Sequence, residues 1–355
     1  MIPYPIEVLI VDDSPSSQEL LSFIIKSDPE LALQACVKNE KMGLDCLKRL
    51  APAVIVINSA LAARDRFKAI HYYMQTKPTS IIAICDNLLE KTLASNFQAI
   101  CAGAIDVLEK PASFKDPHYA AHAQAIIQAI KMAAQVKWPS QHHETSFSTL
   151  AAAAQQEAIE EFVKLPKIEA IAIGASLGGP QALGAILSLI PKNFPIPFFV
   201  VQHISAGFTK GLVDWLQGMT SLQVQLTKDR TFAKPGSVYV APEHFHMEIR
   251  KGGLIRLVDS LPEKGIRPSV GHLFRSIAHT YGSKGIGIIL TGMGKDGGED
   301  LLKMKQTGAL TIAQDPLTSL LFGMPKEAIA IKAAKHVMSL QQIAALLKLI
   351  AKRPI

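Results

Sequence analysis

The stretch Ala170-Ile171-Ala172-Ile173-Gly174-Ala175-Ser176-Leu177-Gly178-Gly179-Pro180 constrains the fold more than any other part of the chain. The apolar run from Ala170 to Ile173 has the length and composition of a strand buried on both faces. Gly174 to Gly179 leaves room only for a tight turn, and Pro180, with its φ preset and no N–H to lose, opens a helix to about Ile190. This order of strand, turn and helix begins a parallel βαβ unit. Ser176 then lies between a strand's carboxyl end and a helix's amino end. Free backbone N–H groups and the positive end of the helix dipole gather there, and they can stabilise either a developing oxyanion or a bound phosphate. Two readings therefore stand open at this point, a nucleophilic serine and a glycine-rich phosphate cradle.

The same strand signature recurs at Glu7–Val11, Ala53–Ile57, Ser80–Cys85, Ile105–Leu108, Pro197–Val201 and Gly285–Leu290, with helical patterns between the runs. Alternation of this kind predicts the α/β class, as two doubly wound parallel sheets, the second carrying an antiparallel hairpin. The expected division is a domain over 1–118, a helical and tethering linker over 119–166, and a larger domain over 167–355. In the linker, an alanine-rich helix-prone segment from Tyr119 to Val136 precedes a polar stretch in which His142 and His143 read as solvated linker rather than metal ligands. Lys326 to Arg353 reads as one amphipathic helical stretch.

A chain of 355 residues with 48% hydrophobic and 19% charged content has ample material for two cores. Its longest apolar runs are strand-sized, and no leader pattern opens the sequence, so no membrane insertion and a cytoplasmic location are expected. Cys36, Cys46, Cys85 and Cys101 share no CxxC spacing and read as isolated buried thiols. The net charge of +7 comes from an excess of Lys and Arg in the carboxyl-terminal half. Such charge admits nucleic acid as a partner, but these residues are scattered and not interleaved with aromatics, so an acidic protein surface fits at least as well, and no nucleic-acid partner is expected.

In a parallel sheet the chemistry collects at the strands' carboxyl ends. The first domain places Asp12 and Asp13 there, a pair that could hold a divalent cation such as Mg through oxygen ligands or cap the next helix. Asn58, Cys85 and Lys110 end its later strands. The second domain ends three strands in Ser176, in Gln202-His203, and in the loop Thr291–Gly298 with Asp296. An imidazole takes a serine proton only when a carboxylate fixes its tautomer and stabilises its charged form, so these three residues are candidates for a Ser-His-Asp triad. His244 and His246, near a hairpin with apolar neighbours, read as structural.

With these residues in view, the first segment resembles a response-regulator receiver domain, with Asp12-Asp13 as the acidic pair and Lys110-Pro111 as the lysine-proline motif. The whole chain resembles the chemotaxis response-regulator protein-glutamate methylesterases. The motifs that carry this are Gly174–Pro180, Gln202-His203 with Gly207-Phe208-Thr209, Val238–Pro242 with His246-Met247, Arg267–Val270 with Leu273–Ser276, Thr291–Gly297, and Ile312–Asp315 with Phe322–Pro325. The resemblance implies hydrolysis of glutamate γ-methyl esters on the cytoplasmic domain of methylated chemoreceptors, deamidation of receptor glutamines, and a chemosensory histidine kinase or scaffold as partner. It implies Ser176 as nucleophile, His203 as base and then acid, Asp296 as orienting carboxylate, and no catalytic cofactor. It also implies an oxyanion donor from the Met293 backbone beside the N–H of Leu177.

Four positions depart from the family pattern. Asn58 stands where the receiver aspartate accepts phosphate, and Cys85 where a hydroxyl is usual. Leu177 replaces the threonine that usually follows the nucleophile, and Gly271 replaces the aspartate expected after Arg-Pro-Ser-Val. An amide is a poor nucleophile, so Asn58 is expected not to accept a phosphoryl group. Asp65 and Asp86 lie near in sequence but are not expected to substitute. These departures favour an alternative, a non-catalytic adaptor that keeps both folds as binding surfaces. A nucleotide-binding reading lacks the acidic ribose ligand at the required spacing.

Overall fold

A computed structural model describes residues 5–64, 67–87, 90–136, 138 and 166–351. The expected readings on His142, His143 and Asp65 fall outside these residues. The chain divides into two compact units, Met1–Trp138 and Pro139–Ile355.

In the first unit, β1 (Ile6–Val11), β2 (Leu31–Val37), β3 (Val54–Asn58), β4 (Ser80–Cys85) and β5 (Asp106–Glu109) form a parallel sheet in the order β2-β1-β3-β4-β5. Helices α1 (Pro15–Lys26), α2 (Glu40–Leu50), α3 (Ser59–Ala63), α4 (Lys68–Thr76) and α5 (Glu90–Ala102) connect the strands. Edge strand β2 escaped the sequence reading because most of its residues are only partly buried, so no continuous apolar run marks it. A further helix, α6 (Tyr119–Ala133), buries Ile126, Ile130 and Ala133. It is tied to this sheet by Ser80 Oγ, which donates to Ala133 O at 2.7 Å, and to the turn before β2 by Lys131, which pairs with Asp28 at 2.8 Å. The unit therefore runs to Trp138 rather than ending at 118, because an amphipathic helix packs where its apolar face can be buried.

The second unit holds a seven-stranded parallel sheet in the order β15-β14-β13-β6-β7-β10-β8. Its strands are β6 (Ala170–Ala175), β7 (Phe198–Gln202), β8 (Gln223–Leu226), β10 (Ser237–Val240), β13 (Gly285–Ile289), β14 (Leu310–Gln314) and β15 (His336–Met338). Strands β9 (Thr231–Phe232), β11 (His246–Arg250) and β12 (Leu254–Val258) form a separate antiparallel sheet. Helices α7 (Gly179–Leu187), α8 (Thr209–Met219), α9 (Val270–Tyr281), α10 (Gly298–Gln306), α11 (Met324–Ala330) and α12 (Leu340–Ala351) complete the unit.

Every residue of β6 is buried, and Ile171 and Ile173 are fully so; truncating either to Ala costs about 2–5 kcal/mol. The segment from Lys326 onward is not one helix. Lys332 takes a positive φ of 57° and ends the helical run, and β15 then extends the sheet edge by pairing with β14. Among the described residues no helix is long and apolar enough to cross a membrane.

The chain enters the second sheet at its centre. From β6 it winds outward through β7, then returns to the opposite side of β6 with β13. This reversal opens a crevice above the carboxyl ends of β13, β6 and β7, the three strands that lead into Asp296, Ser176 and His203.

Candidate active site

Ser176 follows β6, with its backbone fixed from both neighbouring strand ends. Its N–H donates to Thr291 O at 3.0 Å, and its carbonyl accepts Gln202 Nε2 at 2.6 Å. The turn is set by Gly178 at φ 76°, a left-handed conformation that suits a residue without a side chain. The loop after β13 comes so close that a Cβ on Gly292 would stand 2.6 Å from Ser176 Cβ and 2.6 Å from Met324 Sδ.

His203 is held by its own N–H, which donates to Ala175 O at 2.9 Å, and its carbonyl accepts Gln202 Nε2 at 2.8 Å. Gln202 thus holds the two turns together with one amide. Glu243 steadies the chain beyond His203, accepting Gly207 N at 2.7 Å and Thr209 Oγ1 at 2.7 Å. Gln202, His203, Glu243 and Arg267 help line a cleft of about 290 Å³.

Asp296 faces His203, with Nε2 and Oδ2 3.0 Å apart and side chains only 15% and 12% exposed. The approach is close but poorly directed, since the imidazole nitrogen makes no aligned hydrogen bond. The carboxylate is anchored elsewhere as well: Oδ2 accepts Val270 N at 2.7 Å, while Oδ1 accepts Gly271 N at 3.1 Å and Ser269 Oγ at 2.9 Å. Burial works against its charge, but His203 and the Val270 and Gly271 N–H groups outweigh burial and hold its pKa below the ordinary carboxylate value.

The structure therefore brings His203 and Asp296 together and sets Ser176 on the adjacent strand end, with its hydroxyl making no hydrogen bond to the imidazole or to any other described group. The N–H groups of Leu177 and Met293 likewise donate to no described residue, whereas that of Ser176 is taken by Thr291. The loop carrying Met293 is positioned by Gln314, whose Oε1 accepts Thr291 N at 2.7 Å, and by Met324 N, which donates to Gly292 O at 2.9 Å.

Sequence reasoning gave no role to Gln202, Glu243, Ser269, Val270 or Gln314. Ser269 did carry a signal, as an N-cap before a helical pattern, and its Oγ accepts His272 N at 3.3 Å. The others act through backbone groups that no spacing rule reveals.

His246, Glu263 and His272 present donor atoms within 4.8 Å of one another. Their lone pairs and protons are already committed. His246 Nδ1 accepts Ser269 N at 3.1 Å and its Nε2 lies 3.2 Å from Leu261 O, while His272 bridges Glu263 at 2.8 Å and Glu248 at 2.9 Å. Arg275 pairs with the same Glu263 oxygen, and a resident cation there disfavours a metal ion. His244 lies in the preceding turn at φ 66°.

At the first sheet's edge, Asp12 is fully buried and its oxygens accept Ser14 N at 2.8 Å, Asn58 Nδ2 at 3.0 Å and Ser17 Oγ at 2.6 Å. Asn58 turns its Oδ1 to the start of α3, accepting Ala60 N at 2.9 Å. Asp13 pairs with Arg64 at 2.7 Å, and Lys110 with Asp86 at 2.7 Å. A divalent cation needs several free oxygen ligands, and this pocket fits one poorly because its oxygens already hold protein donors. Burial, reinforced by Glu109 and Asp86, pushes the Cys85 thiol up to about 12, so it stays protonated. Cys46 is buried as well, but Cys101 is half-buried and Cys36, on edge strand β2, is exposed, against the expectation of four buried thiols.

The sequence model of the family described as CheB methylesterase matches residues 171–347. A protein-glutamate methylesterase/protein-glutamine glutaminase of Nitrosospira multiformis is 36% identical over 349 residues, covering 98% of each chain. A namesake from Syntrophus aciditrophicus is 39% identical over 343 residues, 96% of this chain and 97% of its own. The crystal structure of the Thermotoga maritima CheB methylesterase catalytic domain aligns with a TM-score of 0.50 at 39% identity, covering 52% of this chain and all of that one.

Proposed function

The chain belongs to the CheB family of protein-glutamate methylesterases, and from that premise we propose that Ser176, His203 and Asp296 hydrolyse glutamate γ-methyl esters on the cytoplasmic domain of chemoreceptors, and deamidate receptor glutamines, in the cytoplasm. The observation that carries this reading is the buried approach of His203 to Asp296, 3.0 Å apart, on the sheet edge from which the Ser176 turn projects.

Because Nε2 faces Asp296, Nδ1 is the imidazole nitrogen left to act on Ser176. Catalytic hydrogen bonds of this kind commonly align only when substrate binds. Ser176 Oγ attacks the γ-carbonyl carbon while its proton passes to Nδ1, and the negative charge collects on the former carbonyl oxygen. The free N–H groups of Leu177 and Met293 are suited to receive that oxyanion. Collapse breaks the bond to the methoxy oxygen, which takes the proton from the imidazolium and leaves as methanol. Water then loses a proton to Nδ1 and attacks the acyl carbon, releasing the glutamate carboxylate and restoring the Ser176 hydroxyl. With a glutamine substrate, ammonia leaves in place of methanol. Asp296 stabilises the imidazolium throughout.

The usual hydroxyl beside the nucleophile is absent at Leu177, but the backbone donor is retained, so the oxyanion site keeps its main element. The first unit acts without phosphorylation at position 58, since the Asn58 amide is occupied by Asp12 and by the start of α3. No catalytic metal enters this scheme. The test is methanol release from methylated receptor by the full chain and by Ser176→Ala: release that survives the substitution would remove this reading.

A further inference from the structure

Helix α9 carries no acidic residue in its own first turn, yet two carboxylates lie against that turn. One is Asp296. The other is Asp300, which reaches across from α10 with a side chain only 10% exposed. A Cβ on Gly271 would overlap Asp300 Oδ2 and stand 3.3 Å from its Cγ and 3.2 Å from Asp296 Oδ1. A side chain at 271 therefore requires the Asp300 carboxylate to leave the position in which Arg275 and Lys303 hold it.

Asp300 is held in that space by cations from both helices: Arg275 Nη1 of α9 donates to Oδ2 at 3.0 Å, and Lys303 Nζ of α10 to Oδ1 at 2.9 Å. Arg275 lies one turn beyond Gly271 and grips Glu263 with its other terminal nitrogen. A negative charge is favourable at a helix start, and here it is supplied from the neighbouring helix. The same two residues of α9, Val270 and Gly271, hold Asp296 by their N–H groups, so whatever seats the start of α9 also aims Asp296.

We propose that Asp300 is a positioning residue for the Asp296–His203 pair, supplying from α10 the carboxylate that the start of α9 lacks, and that position 271 is glycine in order to admit it. The proposal rests on the catalytic assignment above. It makes Gly271 and Asp300 one unit, and the carboxylate should be movable between them.

The experiment measures methanol release from methylated receptor by the full chain, with thermal melting alongside. Asp300→Asn keeps the volume and removes the charge; kcat is expected to fall about tenfold with KM unchanged. Gly271→Asp alone is expected to fall further, because two carboxylates then claim one space. Gly271→Asp combined with Asp300→Gly is expected to recover kcat to within about threefold of the native value, a coupling that independent sites would not show. Should that double variant not fold, Gly271→Ala in the native and in the Asp300→Gly background tests the steric exclusion alone, with partial rescue expected in the second, to the level of Asp300→Asn. A native kcat in Asp300→Asn, or absence of rescue in both pairs, overturns the proposal. Ser176→Ala separates the two ideas: activity surviving in it removes the catalytic assignment, whereas its loss beside an unaffected Asp300→Asn removes only the role of Asp300.

Discussion

Oδ2 of Asp296 accepts the backbone N–H of Val270 at 2.7 Å, and the same oxygen stands 3.0 Å from His203 Nε2. One carboxylate oxygen thus joins the amino end of a helix to the imidazole. The helix fixes the oxygen in place, and the oxygen faces the ring at close range.

That dependence makes Asp296→Asn informative. The amide keeps the shape but presents a weaker acceptor and no charge, and the imidazolium loses its partner. Methanol release at neutral pH should fall by about 10³–10⁴ with little change in KM. A loss smaller than tenfold would mean that His203 is oriented by something else.

The pH dependence follows from the same anchor. The Asp296 pKa is held below its ordinary value, despite burial, by His203 and the Val270 and Gly271 N–H groups. A carboxyl depressed in the folded state contributes stability that is fully present above its unfolded pKa and lost as pH falls through the folded one. Melting temperature should therefore drop more steeply below about pH 4 in the native chain than in Asp296→Asn. Parallel curves would show that Asp296 is not held as described.

Ser176 leaves no room for crowding from the facing loop. With a Cβ at Gly292 only 2.6 Å from Ser176 Cβ, Gly292→Ala must displace either the nucleophile turn or the loop that presents Met293. A shift of this kind is expected to lower kcat about a hundredfold while the far side of the sheet stays intact. Kinetics beside a melting curve check this, and native kcat would show that the loop gives way freely.

The first unit should not take up a phosphoryl group. Asn58 is bonded to Asp12 at 3.0 Å and caps α3, and Lys110 is paired with Asp86. Incubation with a small phosphodonor and a divalent cation is expected to leave the intact mass unchanged. An added phosphoryl group mapped to residues within Met1–Trp138 would reverse this reading.

Much of the architecture could be read directly from residue order. Apolar runs such as Ala170–Ile173 and Val54–Ile57 are buried on both faces, and such strands announce themselves without reference to anything distant. Edge elements were harder to read. β2 keeps only its ends well buried, and β15 interrupts what looks like one helix from Lys326 onward. Both exist because a neighbouring strand offers backbone hydrogen bonds, a cause that local periodicity does not record.

The catalytic candidates show the same division. Local sequence determined that Ser176, His203 and Asp296 each end a buried parallel strand, and parallel strands share one carboxyl edge. Only the tertiary structure decided that β13, β6 and β7 are adjacent, that His203 presents Nε2 to Asp296, and that Gly271 makes room for Asp300. The physical reason is range. A strand or a turn is settled by interactions among a few successive residues, whereas the aim of a side chain depends on backbone donors and excluded volume contributed by elements far along the chain, 26 positions away for Val270 and Asp296 and more than a hundred for Thr291 and Ser176.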